Sequence, residues 1–408
     1  MPSTEDLLDQ HTQLTRRYFV GPGAAAVTGV ALARAGADTP PELGSAIGLL
    51  EYLTHSTGLA NFGRGTPPPH TLSSEARRAA GLDPETWRLE VVADPETDAE
   101  VANPLSKDLG TALTWDDLMA LAAERATCYL HVLSCLNMAD PCGMGLWEGV
   151  PLRDVVWLAK PVKNIRRVFY NGFHNDDPAQ IFRSSLPVGR VLEDPPGQPP
   201  VMLCYKLNGQ HLPPERDGPV RMFAPDAYGF KSVKWLQRVV LSNAFQANDT
   251  YAEWNNDIDT SLKTCARSLS HPESVSPDQP IPVTGLAQIG ISGLSRVQVQ
   301  IAPTGPVSDE GWQDAGILGP PDRWGGDVGD GPLPGQPIGF EASSGEARTW
   351  PQRLTIAHWA ALLPKMPAGG YHLRCRTIDA AGHVQPMPRL FPQSGRNAIH
   401  QVDLTVDG

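Results

Sequence analysis

Cysteine is scarce: six thiols in 408 residues, with no CxxC pair and no CxxCH haem-attachment motif, are too few for a disulfide framework and offer no anchor for a c-type haem. Absent too is any apolar run near the ~20 residues that a membrane-spanning helix requires, so no stable membrane span is expected. Positive charge is not in excess. A net charge of -12 excludes a broad nucleic-acid-binding surface, and basic residues matter only where they are gathered locally. No P-loop, GxSxG elbow, HExxH helix or dinucleotide fingerprint occurs, which removes the commonest nucleotide, hydrolase and zinc-protease chemistries. What the chain holds in quantity is Pro (40) and Gly (39), the punctuation of turns and irregular passages rather than of long helices. Its length and a hydrophobic share of 41% support a sizeable core and two domains plus a tail.

One passage gathers the cations. From Pro213 to Leu236, the residues Pro213, Pro214, Gly218, Pro219, Pro225 and Gly229 break any regular period, while Arg216, Arg221, Lys231 and Lys234 set donors along turns. Such a segment can wrap a phosphate with Arg forks and backbone amides, or it can be a solvated surface loop; spacing alone favours the loop. Near the start, Arg16-Arg17 precedes a weakly apolar Gly/Ala run from Gly21 to Gly36, the pattern of a twin-arginine export signal over residues 1–37. Trp87 to Val92 alternates as a half-buried strand, Thr114 to Ala126 reads as a helix opened by a Thr114/Asp117 capping box, and Tyr129 to Leu133 reads as a strand. Pro151 suits the first turn of a helix whose buried stripe is Leu152, Val155, Val156 and Ala159. From Gly285 onward, short alternating strands such as Val297 to Ile301, Tyr371 to Cys375 and Val402 to Val406 predict a β-sandwich. The Gly/Pro/Asp-rich stretch from Gly319 to Gly335 reads as a surface loop.

The order of residues adds what spacing cannot. Gly218-Pro219-Val220-Arg221, then Pro225, then Tyr228-Gly229-Phe230-Lys231-Ser232-Val233-Lys234-Trp235-Leu236 closely resembles the pterin-binding stretch of the sulfite oxidase family of molybdenum enzymes. Asn61-Phe62-Gly63-Arg64-Gly65-Thr66-Pro67 resembles a second pterin-contacting segment, with Gly65 and Thr66 in place of the usual Asn-His pair. Val132-Leu133-Ser134-Cys135, followed by Trp147, Gly149, Leu152 and Val155, resembles the molybdenum-ligand loop and the helix after it. Read on its own, Cys135 is a core cysteine or half of a disulfide with Cys142; the resemblance makes its thiolate, a soft ligand, the protein's bond to molybdenum.

The resemblance implies an α+β fold: a molybdopterin-binding catalytic domain over residues 38–270, followed by an immunoglobulin-like β-sandwich over 271–408 that dimerises. It implies molybdenum-molybdopterin as cofactor, with no haem in this chain. Cys135 and Arg64 become the catalytic residues, and Phe62, Gly63, Arg64, Gly65, Thr66, His174, Arg216, Arg221, Ser232, Val233 and Lys234 the cofactor contacts. The usual active-site Tyr falls in a region where Tyr251, Asp257 and Asp259 compete for the position. The expected reaction is oxygen-atom transfer, oxidising sulfite or a related sulfur compound and passing electrons to a separate carrier such as a c-type cytochrome. Two alternatives stand beside it: reduction of a sulfoxide, such as oxidised methionine, at the same centre, and a cofactor-free binding protein on the same fold. The resemblance and the Arg pair together imply export to the periplasm.

Overall fold

The computed structural model describes residues 39–59, 65–175, 177–195, 198–306, 308–387, 391 and 393–408. The Arg16-Arg17 segment and the expected contacts Phe62, Gly63 and Arg64 lie outside the described residues.

Besides a small pair, Glu100–Val101 with Pro161–Lys163, ten strands build the site-bearing half among the described residues: β1 (Arg88–Ala93), β2 (Leu113–Thr114), β3 (Thr127–Ser134), β4 (Pro141–Pro151), β5 (Arg167–Gly172), β6 (Arg183–Pro187), β7 (Met202–Leu207), β8 (Gln210–His211), β9 (Arg221–Phe223) and β10 (Leu236–Ser242). They form two sheets, ordered β2-β1-β10-β5-β6 and β8-β7-β4-β3, with β9 also paired to β7. The first sheet carries one parallel pair, β1 with β10, in which Glu90 lies opposite Arg238, and the Trp87 indole N–H ties the two strands by donating to Leu236 O at 2.7 Å. Helix α1 (Trp115–Arg125) starts as the sequence predicts: Thr114 Oγ1 accepts from Asp117 N, and Asp117 returns a carboxylate to Thr114 N. Helix α2 (Leu152–Leu158) buries Leu152, Val155 and Val156, with Pro151 at its N-cap.

Strand β3 shows why its sequence does not alternate. It is buried on both faces from Cys128 onward. Leu130 and Val132 enter the main core while Tyr129 and Leu133 enter a second, smaller one. The same two-residue period divides β4, where Leu146 faces the main core and Trp147 the smaller, and β7, where Leu203 and Cys204 divide likewise. The smaller core is the floor of the candidate site.

The second half is β: β11 (Cys265–Ser270), β12 (Ser274–Val275), β13 (Ile281–Gln288), β14 (Arg296–Pro303), β15 (Gln313–Ile317), β16 (Ile356–Leu363), β17 (Gly369–Ile378) and β18 (His400–Val406). They make one path, β11-β13-β16-β15-β14-β17-β18-β12. β15 pairs with β14 through Gln313 to Ala315 and with β16 through Gly316 and Ile317, so it carries the sheet round a corner. The two halves then share a core in which Ala266, Val283 and Trp359 meet Val297, Leu373 and Leu404. The β texture expected from Gly285 onward is therefore a curled eight-stranded sheet.

The stretch read as a surface loop, Gly319 to Gly335, is instead held against the first half. Trp324 is 6% exposed and its carbonyl accepts from Leu53 N at 2.8 Å. Tyr52 meets both Trp324 and Trp350 ring to ring, and its hydroxyl donates to Gly319 O at 3.1 Å. A single Trp, with the area it removes from water, outweighs the Gly/Pro/Asp composition around it.

Candidate active site

The passage from Pro213 to Leu236 folds back on itself over the smaller core. A short 3-10 turn, Pro214–Arg216, is followed by Asp217 in the left-handed region at φ 78, and then by Gly218, where a Cβ would lie 2.0 Å from Leu212 O. Only glycine permits that approach. The turn delivers Arg221 to the start of β9, opposite Cys204 of β7. Its guanidinium is 1% exposed, 5.2 Å from the Trp147 ring centroid. Nη1 donates to Asp217 Oδ2 at 2.5 Å and Nη2 to Ser232 O at 2.7 Å, while Nε, buried, has no hydrogen-bond partner among the described residues. Ser232 Oγ accepts from Ala224 N at 3.1 Å, fixing the turn that carries Val233 and Lys234. Lys234 Nζ reaches the other Asp217 oxygen, Oδ1, at 2.8 Å. Arg216 Nη2 donates to Leu59 O at 2.9 Å.

Asp217 thus holds two cations at once. Burial pushes its carboxyl up, but Lys234 and Arg221 together outweigh burial and keep it below the usual carboxylate range. Burial also lowers the Lys234 ammonium, against the pull of Asp217. Lys231, the fourth cation of the passage, turns the other way. It is 3% exposed, and its Nζ donates to Asp249 Oδ2 at 2.9 Å and Ser185 O at 2.8 Å, a buried pair behind the site wall.

Cys135 lies on the turn between β3 and β4, partly exposed, and Cys142 lies on β4 beyond it. All six cysteines are free thiols, so the disulfide alternative for Cys135 and Cys142 is not formed. Burial, with Cys135 alongside, pushes the Cys142 thiol up to about 11, which leaves it protonated and a poor ligand at neutral pH. Gly229 packs close to this turn; a Cβ there would meet Ser134 O at 3.3 Å. His174 follows β5, is 3% exposed and takes Gly172 O at 3.1 Å through Nδ1. Gly65, at φ 87, lies so close that a Cβ would fall 1.8 Å from His174 O, and Thr66 N is held by Gln180 Oε1 at 3.0 Å.

These pieces meet on one cavity of ≈ 400 Å³. Cys135, His174, Arg216, Arg221, Ser232, Val233 and Lys234, taken from three separated segments, all line it. Gly65 and Thr66 do not line it and approach only through His174. Of the three residues competing for the Tyr position, Tyr251 lines the cavity, while Asp257 and Asp259 do not. Tyr251 stacks edge-on with Phe182 and Phe230 at 5.4 and 4.6 Å between centroids, which gives the cavity an aromatic wall apart from its cationic one. Sequence reasoning missed Asp217, Trp147 and the aromatic partners of Tyr251; only the Arg216-Asp217 adjacency hinted at the first.

The donor set suits a large anionic cofactor with a soft metal. Among the described residues it offers the partly exposed Cys135 thiol and three cations, Arg216, Arg221 and Lys234. Among the described residues no three His, Cys, Asp or Glu side chains cluster as metal ligands.

The cavity suits an anionic cofactor, and comparison with known proteins places the region that builds it in an oxidoreductase class. Residues 77–250, which contain all ten strands of the two site sheets, match the model of the oxidoreductase molybdopterin binding domain. Mitochondrial sulfite oxidase of Rattus norvegicus is 28% identical over 207 residues, covering 46% of this chain and 34% of that protein. The protein-methionine-sulfoxide reductase catalytic subunit MsrP of Burkholderia mallei is 30% identical over 174 residues, covering 41% of this chain and 47% of that one. The match thus takes in between a third and a half of these relatives' length. The crystal structure of the sulfane dehydrogenase SoxCD from Paracoccus pantotrophus superposes with a TM-score of 0.54 over 94% of this chain and 93% of that one, at 16% identity, and so shares the fold. Over its molybdopterin-binding region the chain is similar to the sulfite oxidase family.

Proposed function

We propose that the cavity binds molybdenum-molybdopterin and that the protein is a molybdenum-dependent oxidoreductase acting on a sulfur compound. The observation that carries this reading is the meeting of Cys135 with Arg221 and Lys234 on one cavity inside the matched domain. When bound, the group supplies two-electron oxygen-atom chemistry at its metal. Cys135 is the protein's thiolate ligand. Arg221, Lys234 and Arg216, with the backbone from Ser232 to Lys234, hold the anionic phosphate and the pterin, and His174 meets the pterin from the β5 side. The buried rings around Tyr251 shape the substrate space and exclude water. Electrons pass to a separate carrier, a c-type cytochrome in our reading, and no haem is bound by this chain. The curled sheet serves as the immunoglobulin-like dimerisation module, and the Arg16-Arg17 segment directs export to the periplasm; both belong to the proposal.

Sulfite, the substrate in the printed name of the rat relative, is the first reading. A second is favoured by one observation. Among the described residues, the cations lining the cavity all come from the Arg216 to Lys234 passage, and the wall of Phe182, Phe230 and Tyr251 adds none. A neutral thioether or sulfoxide sulfur packs well against aromatic rings, whereas sulfite calls for a counter-charge, which Arg64 supplies in the first reading. Parallel assays of sulfite-dependent cytochrome c reduction and methionine-sulfoxide-dependent oxidation of a reduced dye separate the two. Turnover with sulfite alone supports the first, turnover with the sulfoxide alone supports the second, and turnover with neither from molybdenum-loaded protein overturns the sulfur-substrate assignment.

A further inference from the structure

Asp217 has no role in the reading above, yet it sits on the cavity and uses both carboxylate oxygens on the cations assigned to the phosphate. It holds φ 78, a backbone region that disfavours side chains other than Asn, Asp and Gly, and that conformation aims the carboxylate inward. The contacts span the turn: Arg221 lies four residues on and Lys234 lies on the far side of β9. A phosphate that approaches Arg221 and Lys234 meets donors already bonded to an anion of the same chain.

We propose that Asp217 is a built-in competitor for the phosphate subsite and thereby sets its anion specificity. The inference rests on the molybdopterin reading. Arg216, Arg221 and Lys234 against one carboxylate leave two cations' worth of charge, which matches a phosphate monoester of about −1.5 to −2 at neutral pH. Weakly charged or loosely held anions do not displace the carboxylate. A cofactor phosphate does so because the pterin and the Cys135 bond anchor it at further points, so only the complete ligand takes the cations from Asp217.

The test uses the full chain purified from a host unable to make the pterin cofactor, titrated with inorganic phosphate by calorimetry at low fixed ionic strength. Asp217→Asn removes the charge and keeps the shape. Asp217→Gly removes the side chain and suits the left-handed backbone, which covers the case in which the amide variant folds poorly. Both variants are expected to bind phosphate at least about ten-fold more tightly than wild type. Unchanged or weaker binding in both overturns the proposal and makes Asp217 a positioning residue for the two cations. No phosphate binding in any of the three proteins overturns it as well. Whether the molybdopterin reading falls with it is then decided separately, by the molybdenum content of wild type from a cofactor-competent host.

Discussion

His131 lies mid-way along β3, 1% exposed, with Tyr129 and Phe223 packed edge-on and Asp226 N reaching its Nε2 at 3.4 Å. Burial drives its pKa from 6.5 down to about 3. The unfolded chain takes up a proton as pH falls through 6.5, while the folded chain refuses it until about 3, so stability is full above 6.5 and is lost as pH drops through that window. Between pH 7 and pH 5 this one site removes about 2 kcal/mol. His131→Phe keeps an aromatic ring against Tyr129 and Phe223 and has no proton to gain. Urea unfolding followed by Trp fluorescence at the two pH values is expected to show the variant losing about 2 kcal/mol less than wild type on acidification. Equal acid losses in the two proteins would refute the assignment of that sensitivity to His131.

The Lys231–Asp249 pair fixes the wall that carries Phe230 and Tyr251. Lys231→Met leaves Asp249 buried with only the Ser185 hydroxyl, at 3.4 Å, and its helix-capping bond to Ala252 N. A loss of about 3–5 kcal/mol at neutral pH is expected in urea unfolding, partly restored by adding Asp249→Asn, and a loss below 1 kcal/mol contradicts the buried-pair account. For the export proposal, changing Arg16 and Arg17 to Lys is expected to leave the protein in the cytoplasm, read by cell fractionation; unchanged export refutes it.

The lining of the candidate cavity was legible where it is set by a local order of residues. Cys135, Arg221 and Lys234 stand in short motifs, and antiparallel pairing of β3 with β4, β4 with β7 and β7 with β9 brings those motifs together. What stayed hidden depends on backbone direction. Asp217 beside Arg216 reads as a solvated acid, and only its left-handed conformation turns it onto Arg221 and Lys234. Lys231 reads as one more cation facing an anion, yet the 3-10 turn Gly229–Lys231 points it to Asp249. In the β half, alternation marked the strands but not their faces. On β14, Gln298 and Gln300 are buried beside Val297 and Val299 because Arg376 and Arg374 bond to their side chains. The fold of Trp324 onto Leu53 was invisible because a partner 271 positions away leaves no local trace.

The central claim, that this cavity holds a Cys135-ligated molybdenum cofactor, is tested most directly by elemental mass spectrometry on protein from a host that makes the pterin. Wild type is expected to carry close to one molybdenum per chain, and Cys135→Ser, folded by circular dichroism, much less. Wild type without molybdenum from a competent host would contradict the account and favour a cofactor-free binding protein on the same fold.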